Sequence, residues 1–214
     1  MKHLGERRTA LGVVAGLAAV VAAGALAVTR DGDGAMRAGA LGPEGVPVPD
    51  APVLAPAREV GRGQRIDGIA CQTHEQILFH IHAHVAIVVR GRARRIPAGI
   101  GIAAPREVAH TPTGPFVVGG GCFMWLHTHA ADGIVHMESP VARTYTLGDF
   151  FDVWARRLDR AHVGPERGHV TAFLDGRRVE GDPRAIALAA HSQIQLDVGS
   201  PVVPVRPIKF PRGL

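Results

Sequence analysis

The sequence has few aromatic residues and lacks the motifs with which many proteins hold a phosphate or build a nucleophile. Aromatic residues make up 5% of the 214 positions, and the basic residues are scattered although the formal net charge is +5. Nucleic-acid binding combines clustered basic residues with aromatic stacking, so we expect no nucleic-acid partner. No phosphate-cradling loop, nucleophile elbow or internal repeat is present in the sequence. Any chemistry has to come from other residues.

Cysteine is also scarce, since the chain contains only Cys71 and Cys122. In an oxidising compartment two such cysteines are expected to pair, and the disulfide would close a loop of about fifty residues. The alternative is a thiolate metal ligand, because Cys122 lies five residues before His127 and neighbouring strands could share one site. The sequence favours the disulfide and leaves the ligand open.

One long run of uncharged small and aliphatic residues is present at positions 9–28, after the basic start MKHLGERR. This pattern predicts that residues 1–30 are a signal peptide, with an A-x-A pattern at 25–27, or an N-terminal transmembrane anchor. The arginine pair at 7–8 leaves both the general and the twin-arginine export routes open. Either way, the rest of the chain is predicted to lie outside the cytoplasmic membrane, periplasmic or extracellular, anchored or secreted.

Composition divides the remaining chain into three parts. Residues 31–63 are dense in Gly, Pro and Ala without an apolar period, which predicts a flexible linker. Residues 64–200 carry the periodic patterns and are predicted to form one globular domain. Residues 201–214 form a proline-rich basic tail that is expected to run over the surface.

The domain is predicted to be α+β, with mainly antiparallel strands and hairpins and one amphipathic helix. Residues 77–89, ILFHIHAHVAIVV, alternate strictly, which predicts a long strand with His80, His82 and His84 on one face. The helix is predicted over about 146–159, because Thr146 lies three residues before Asp149 in a capping-box pattern and apolar residues follow at helical spacing. A short return strand is expected after residue 89. A further hairpin is expected around DG at 175–176, and a last strand in HSQIQLDVG.

The segment FMWLHTHAADGIVHMES is typical of a hairpin with its loop at residues 130–133. Antiparallel pairing then places His127 opposite His136 and gathers both with His129 on one face. Three imidazoles in this arrangement form a metal site with an open fourth position. Glu138 lies one step further on, where it would orient a histidine or relay a proton.

The HIHAH motif adds three histidines that cannot all bind one ion, since the ends of the motif are about 13 Å apart along a strand. One adjacent pair could join the hairpin histidines, or two ions could lie close together. We therefore predict one or two transition-metal ions, copper or zinc. The predicted ligands are His80, His82, His84, His127, His129 and His136. A pH-sensing cluster and a merely polar face are the alternatives, and His3, His110, His162, His169 and His191 are expected to be surface or packing residues.

The motifs HIHAHVAIVVRG, CFMWLHTHAADGIVHMESP and TLGDFFDVW, in this order and followed by FLDGRRVEG and IQLDVG, resemble a family of exported or membrane-anchored bacterial proteins. The resemblance covers residues 66–199, and no established activity, fold or cofactor comes with it. Relatives often carry an acidic residue directly after the second histidine of HTH. This chain has Ala130 there, and its nearest acid is Asp132, which weakens the case for a carboxylate ligand at that point.

Three functions are compatible with these patterns. The first is an exported, membrane-tethered protein that binds copper or zinc and handles the metal, and the membrane contact is made by its N-terminal segment. The second is a hydrolytic or redox metalloenzyme, with Glu138 as a proton relay and the long loop predicted at residues 104–121 over a pocket. The third is a structural or interaction module whose histidine face meets a protein partner that the sequence does not identify.

Overall fold

The computed structural model describes Met1 and residues 39–214, and residues 39–214 lie in one compact unit. The predicted signal or anchor segment and the first part of the predicted linker lie outside the described residues. Among the residues that the structure describes, no helix is long and apolar enough to cross a membrane.

Residues 39–214 form many short strands, one α-helix and one 3-10 helix. In chain order the strands are β1 (Arg65–Ile66), β2 (Ile69–Gln72), β3 (Phe79–Val89), β4 (Arg92–Arg94), β5 (Glu107–Thr111), β6 (Gly114–Gly119), β7 (Phe123–Met124), β8 (Leu126–His127), β9 (Ile134–Ser139), β10 (Tyr145–Thr146), β11 (Leu158–Asp159), β12 (His162–Val163), β13 (Glu166–Arg167), β14 (Val170–Leu174), β15 (Arg177–Val179), β16 (Ala187–Leu188) and β17 (Gln193–Val198). The helix α1 is Leu147–Val153, and the 3-10 helix is Pro183–Ala185. Mostly antiparallel strands with one helix confirm the predicted α+β class.

The central sheet has the strand order β15, β14, β17, β3, β9, β8, and β4 also pairs with β3. Only the β17–β3 pair is parallel within this sheet. The long strand β3 pairs with β9 along its first half and with β17 and β4 along its second half. The strand begins at Phe79, two residues later than predicted, and Ile77 and Leu78 are exposed.

The apolar face of the sheet packs against the helix. Leu126, Val135 and Met137 are fully buried in one cluster with Phe150 of the helix and with Trp154, which caps its C-terminal end. Burying one such side chain stabilises the fold by about 1.5–3 kcal/mol relative to leaving it exposed. The histidines lie on the opposite face of the same strands, because side chains alternate along a strand.

The helix starts as predicted and ends early. The Thr146 side chain accepts a hydrogen bond from the Asp149 N–H, and the Asp149 carboxylate accepts one from the Thr146 N–H. The predicted end near residue 159 is wrong, since α1 ends at Val153 and Ala155 has a φ of 51°. A left-handed residue cannot continue a right-handed helix, so the chain turns there.

The described part of the predicted linker is not a free tether. Val46, Leu54 and Val60 are buried, and Leu54 donates a backbone hydrogen bond to the carbonyl of Arg95. The prediction of a flexible linker is wrong for these residues, because isolated apolar residues without a period can still be buried against a surface from another part of the fold. This segment, residues 39–63, is called the N-terminal segment below.

The C-terminal tail also lies against the domain. The N–H of Val203 donates to the carboxylate of Asp197, and the N–H of Ile208 donates to the Gln193 side chain. The ring of Phe210 stacks on His191 with 4.7 Å between the ring centroids. The tail and the N-terminal segment therefore both contribute walls to the folded unit.

Cys71 and Cys122 form a disulfide. It joins Cys71 of β2 to the residue that directly precedes β7, the strand that pairs with β2. The pairing predicted from the sequence is confirmed, and the alternative of a free thiolate ligand is wrong because both sulfurs are in the bond. A disulfide agrees with an oxidising, extracytoplasmic location.

Candidate metal centre

Three adjacent strands of the central sheet bring the histidines together. The register sets His136 of β9 between His82 of β3 and His127 of β8, and it sets His80 opposite Glu138. The pairing of His127 with His136 is the one predicted from the hairpin. Cross-strand neighbours on one face have Cβ atoms about 5 Å apart, so their imidazoles converge.

The converging side chains form two overlapping groups. The first consists of His80, His82, His136 and Glu138, and the second of His127, His129, His136 and Glu138. Within each group the ligand atoms lie within 4.8 Å of one another. His136 and Glu138 belong to both groups. Every member is buried except His80, whose side chain is 40% exposed, so the cluster opens to solvent on the His80 side.

The backbone fixes the tautomers of His127 and His129. Nδ1 of His127 lies 2.9 Å from the carbonyl oxygen of Met124, and Nδ1 of His129 lies 2.5 Å from that of Val117. A carbonyl can only accept, so both Nδ1 atoms carry the hydrogen. In a neutral ring Nε2 then holds the lone pair, which is the form that binds a metal.

Both rings are held neutral. Burial, followed by the charges of His129 and His136, lowers the pKa of His127 well below its ordinary value. Burial and the charge of His136 also lower the pKa of His129, although the hydrogen bond that its Nδ1–H donates to the carbonyl of Val117 acts in the opposite direction. The two Nε2 lone pairs therefore face each other at 3.0 Å.

Facing lone pairs repel each other, and a cation between them removes the repulsion. Two imidazoles on one tetrahedral zinc ion, with bonds of about 2.0–2.1 Å, have their nitrogens about 3.3 Å apart. The separation of 3.0 Å between His127 and His129 is within a few tenths of an ångström of this value. This pair fits a metal ion with little movement.

The pair on β3 has the same spacing. Nε2 of His80 lies 3.0 Å from Nε2 of His82 and 3.1 Å from Oε1 of Glu138. Burial, followed by the charges of His136 and His80, lowers the pKa of His82 to about 3. The same Glu138 oxygen is 3.8 Å from Nε2 of His127, so this carboxylate lies between the two histidine pairs.

His136 lies between two carboxylates. Its Nε2 is 2.6 Å from Oε1 of Glu44, and its Nδ1 is 3.3 Å from Oε1 of Glu138. Burial alone would lower the pKa of His136, but the hydrogen bonds to Glu138 and Glu44 and the charges of both raise it to about 9. His136 is therefore an imidazolium at neutral pH in the metal-free protein.

Sequence reasoning missed two carboxylates at this site. Glu44 is delivered by the N-terminal segment, which composition assigned to a linker. Glu75 precedes β3 and lies 3.3 Å from Nε2 of His129. Burial and the nearby charge of Glu138 raise the pKa of Glu75. No local signal in the sequence marks Glu44, because the segment that carries it has no apolar period.

The hairpin β5–β6 corrects the prediction of a long loop at residues 104–121. Its glycines and prolines suggested irregular structure, yet residues 107–119 form an antiparallel hairpin with a tight turn and one register shift, between Glu107 and Val108. The hairpin still covers the site, as the loop was expected to do. Phe116 stacks on His129 with 4.8 Å between the ring centroids, and Val117 supplies the carbonyl that holds this ring.

His84 is not brought into either group. Its Nε2–H donates to the carbonyl oxygen of Asp132 at 3.2 Å, and burial lowers its pKa to about 4. Glycine at position 133 permits this close approach, because a Cβ there would lie 2.5 Å from the carbonyl oxygen of Val85 and 3.1 Å from the His84 ring. Two of the histidines that were predicted to be surface or packing residues have partners outside the cluster. His162 forms a hydrogen bond with Asp159, and His191 forms one with the carbonyl of Leu214.

Comparisons with family models, with curated proteins and with solved structures give no match for this chain. The resemblance drawn from its histidine motifs therefore stays a prediction. The geometry alone shows what the residues can do. Five imidazoles and one carboxylate form two overlapping groups that could hold a metal.

Proposed function

We propose that this chain is an exported, membrane-tethered metal-binding protein that handles copper or zinc at the histidine face of its central sheet. The observation that carries the proposal is the pair His127 and His129, whose Nε2 lone pairs face each other at 3.0 Å while both Nδ1 atoms are held by backbone carbonyls. Imidazole-rich ligand sets suit copper and zinc.

The arrangement supports two ions. One ion would take His127, His129 and His136, and the second would take His80 and His82. Glu138 would bridge them, because one of its oxygens already lies between the two pairs and its Oε2 is buried without a hydrogen-bond partner in the described part of the chain. A bridging carboxylate uses both oxygens.

The setting of the protein is part of the proposal. The apolar run at residues 9–28 supports export and a membrane tether, and the disulfide supports an oxidising compartment. The histidine motifs support membership of the exported bacterial family that they resemble. Metal handling in that compartment requires a site that solvent or a metal carrier can reach. His80, the exposed member of the cluster, offers this access.

A metalloenzyme is the second candidate, and the position of Glu75 favours it. This carboxyl group is half-exposed at the edge of the cluster, and its raised pKa suits a group that exchanges protons between solvent and a buried site. Hydrolytic or redox activity that is lost in Glu75→Gln, with metal content unchanged, would support this candidate over metal handling alone.

The deciding experiment is elemental analysis of the protein purified without a histidine tag. We expect one or two equivalents of copper or zinc in the wild type and a loss of at least one equivalent in His127→Ala. His169→Ala is the matched control, since His169 is exposed and outside both groups, and it should keep the full content. Circular dichroism melting curves would verify that both variants are folded.

A wild-type protein that contains no metal, and that takes none from a weak chelator, would overturn the proposal. Equal metal content in wild type and His127→Ala would also overturn the assignment of the site. A separate variant, His82→Ala, tests the second ion. It should lose one equivalent and leave the other, if each pair holds its own ion.

A further inference from the structure

A cavity of about 810 Å³ lies next to the metal centre but is separate from it. We call it the end cavity, because its walls come from the N-terminal segment, from β3 and β4, and from the C-terminal tail. Leu41, Ala86 and Ile208 represent these three walls. Small-molecule sites usually have volumes of about 300–1,000 Å³, so the end cavity has the size of such a site.

The end cavity is rich in positive charge. Arg94, Arg95, Lys209 and Arg212 line it, and none of them forms an ion pair within the residues that the structure describes. Asp132 is the acidic residue of the lining. Even if Asp132 is counted as ionised, the four unpaired cations outnumber it.

Arg95 points more specifically to an acceptor. Its Nε is buried and has no hydrogen-bond partner in the described part of the chain. A buried donor that remains unpaired costs about 1–3 kcal/mol, so such groups are normally satisfied by something. Backbone hydrogen bonds with Pro52 and Leu54 hold the main chain of Arg95 in place, so the position from which its side chain extends is fixed. An anion in the end cavity would satisfy it.

The rest of the lining is apolar, which excludes a simple inorganic anion as the best fit. The apolar residues include Leu41, Pro47, Pro49, Ile208, Phe210 and Pro211. Leu41 is 56% exposed at the edge of the cavity although it is a large hydrophobic residue. A ligand that covers these side chains gains from removing their surface from water.

We propose that the end cavity binds a long-chain monocarboxylate, with its carboxylate against Arg95 and its alkyl chain along the proline-rich walls. Arginine suits this role because its planar guanidinium matches the geometry of a carboxylate. The proposal needs no metal ion and does not depend on the proposed function.

The test is isothermal titration calorimetry of the full-length protein after treatment with a chelator. Dodecanoate, below its micellar concentration, should bind saturably with one molecule per chain. Dodecyltrimethylammonium has the same alkyl chain with a positive charge and should bind far more weakly. Equal binding of both amphiphiles would overturn the proposal, because it would show that only the alkyl chain matters. Inorganic phosphate that binds as tightly as dodecanoate would also overturn the proposal, because it would show that only the negative charge matters.

Variants locate the site. Arg95→Gln should weaken dodecanoate binding about tenfold, which is the effect of losing one charge-assisted hydrogen bond. Ala86→Phe should abolish binding by filling the cavity from the β3 wall. Arg178→Gln is the control, because Arg178 is exposed and pairs with Glu180 outside the cavity, and it should bind like the wild type.

Binding that is unchanged in both Arg95→Gln and Ala86→Phe would place the ligand elsewhere and refute the assignment. Metal content measured on each preparation before the chelator treatment separates this result from the metal proposal. The end cavity is lined by none of the residues in the two metal groups, so its variants should retain the metal of the wild type.

Discussion

Glu44→Gln should change how metal binding depends on pH. Oε1 of Glu44 lies 2.6 Å from Nε2 of His136, and the Glu44 side chain is only 4% exposed. With Glu138, it raises the pKa of His136 to about 9. A metal that binds His136 at pH 7 must first displace this proton.

The size of the effect follows from the pKa. Two pH units below a pKa of about 9, displacing the proton costs about 2.7 kcal/mol, or a factor of about 100 in apparent affinity. We therefore expect the affinity of the wild type to rise about tenfold per pH unit from pH 7 to 9 and then to level off. Glutamine cannot stabilise the imidazolium by charge, so the dependence should flatten in the variant.

The assay is competition with a chromophoric chelator whose own pH dependence is known, at pH values from 6 to 10. Calorimetry in two buffers of different ionisation enthalpy should also show about one proton released per bound ion at pH 7 in the wild type. Fewer protons should be released in Glu44→Gln. Glu59→Gln is the matched control, because Glu59 lies in the same segment, is exposed, and pairs with Arg106 instead.

Two results would refute this reasoning. One is a wild-type affinity that does not change between pH 7 and 9, which would mean that His136 is neutral or is not a ligand. The other is an equal pH dependence in Glu44→Gln and wild type. In that case Glu44 does not hold the proton on His136.

Three further predictions concern stability. Replacing both cysteines, Cys71→Ser with Cys122→Ser, opens a loop with a sequence separation of 51 residues and should lower the free energy of unfolding by about 4 kcal/mol in urea titrations. An unchanged midpoint would show that the bond does not constrain the unfolded chain. Thr146→Ala should cost about 1 kcal/mol by removing the helix cap, while Thr146→Ser should cost much less. The metal-free protein should lose stability as the pH falls below about 6.5, because His82 stays neutral in the folded state but is protonated in the unfolded state. Each such histidine should lower the free energy of unfolding by up to about 1.4 kcal/mol per pH unit. If the stability of His82→Gln falls with pH as steeply as that of the wild type, the prediction for His82 is contradicted.

The opposite sign applies to His136. Its folded pKa, about 9, is above the ordinary value of 6.5, so its contribution to stability is complete below pH 6.5 and is lost as the pH rises through 9. The metal-free protein is therefore expected to be most stable near pH 6.5, where neither loss has begun.

Local patterns predicted the parts of the fold that depend on neighbours in the chain. The alternation in β3 and in the hairpin β8–β9 determined which side chains share a face, because a strand has a period of two and one face had to be apolar. This was enough to place His127 opposite His136. The cap at Thr146 and the turn at 175–176 are equally local, and both form as predicted.

Other parts could not be predicted because their causes are distant in sequence. Glu44 lies 92 residues before His136 in the chain, and the segment that carries it has no periodic pattern. The pairing of β5 with β6 was hidden by glycines and prolines that are also typical of loops. His84 has the same alternation as His80 and His82, and only its contact with the Asp132 carbonyl separates it from them.

The sequence by itself predicted that His80, His82 and His84 share one face of a strand. It also predicted that His127, His129, His136 and Glu138 share one face of a hairpin, since this requires only alternation and register. The tertiary structure decided which of them can bind together, because that depends on where distant groups lie. The carbonyls of Met124 and Val117 orient two rings for a metal, and Glu44 keeps a third ring protonated. Whether side chains can bind one ion depends on the direction in which each ring points and on its charge. Both are fixed by contacts with residues that are distant in the sequence, so a local sequence pattern cannot predict them.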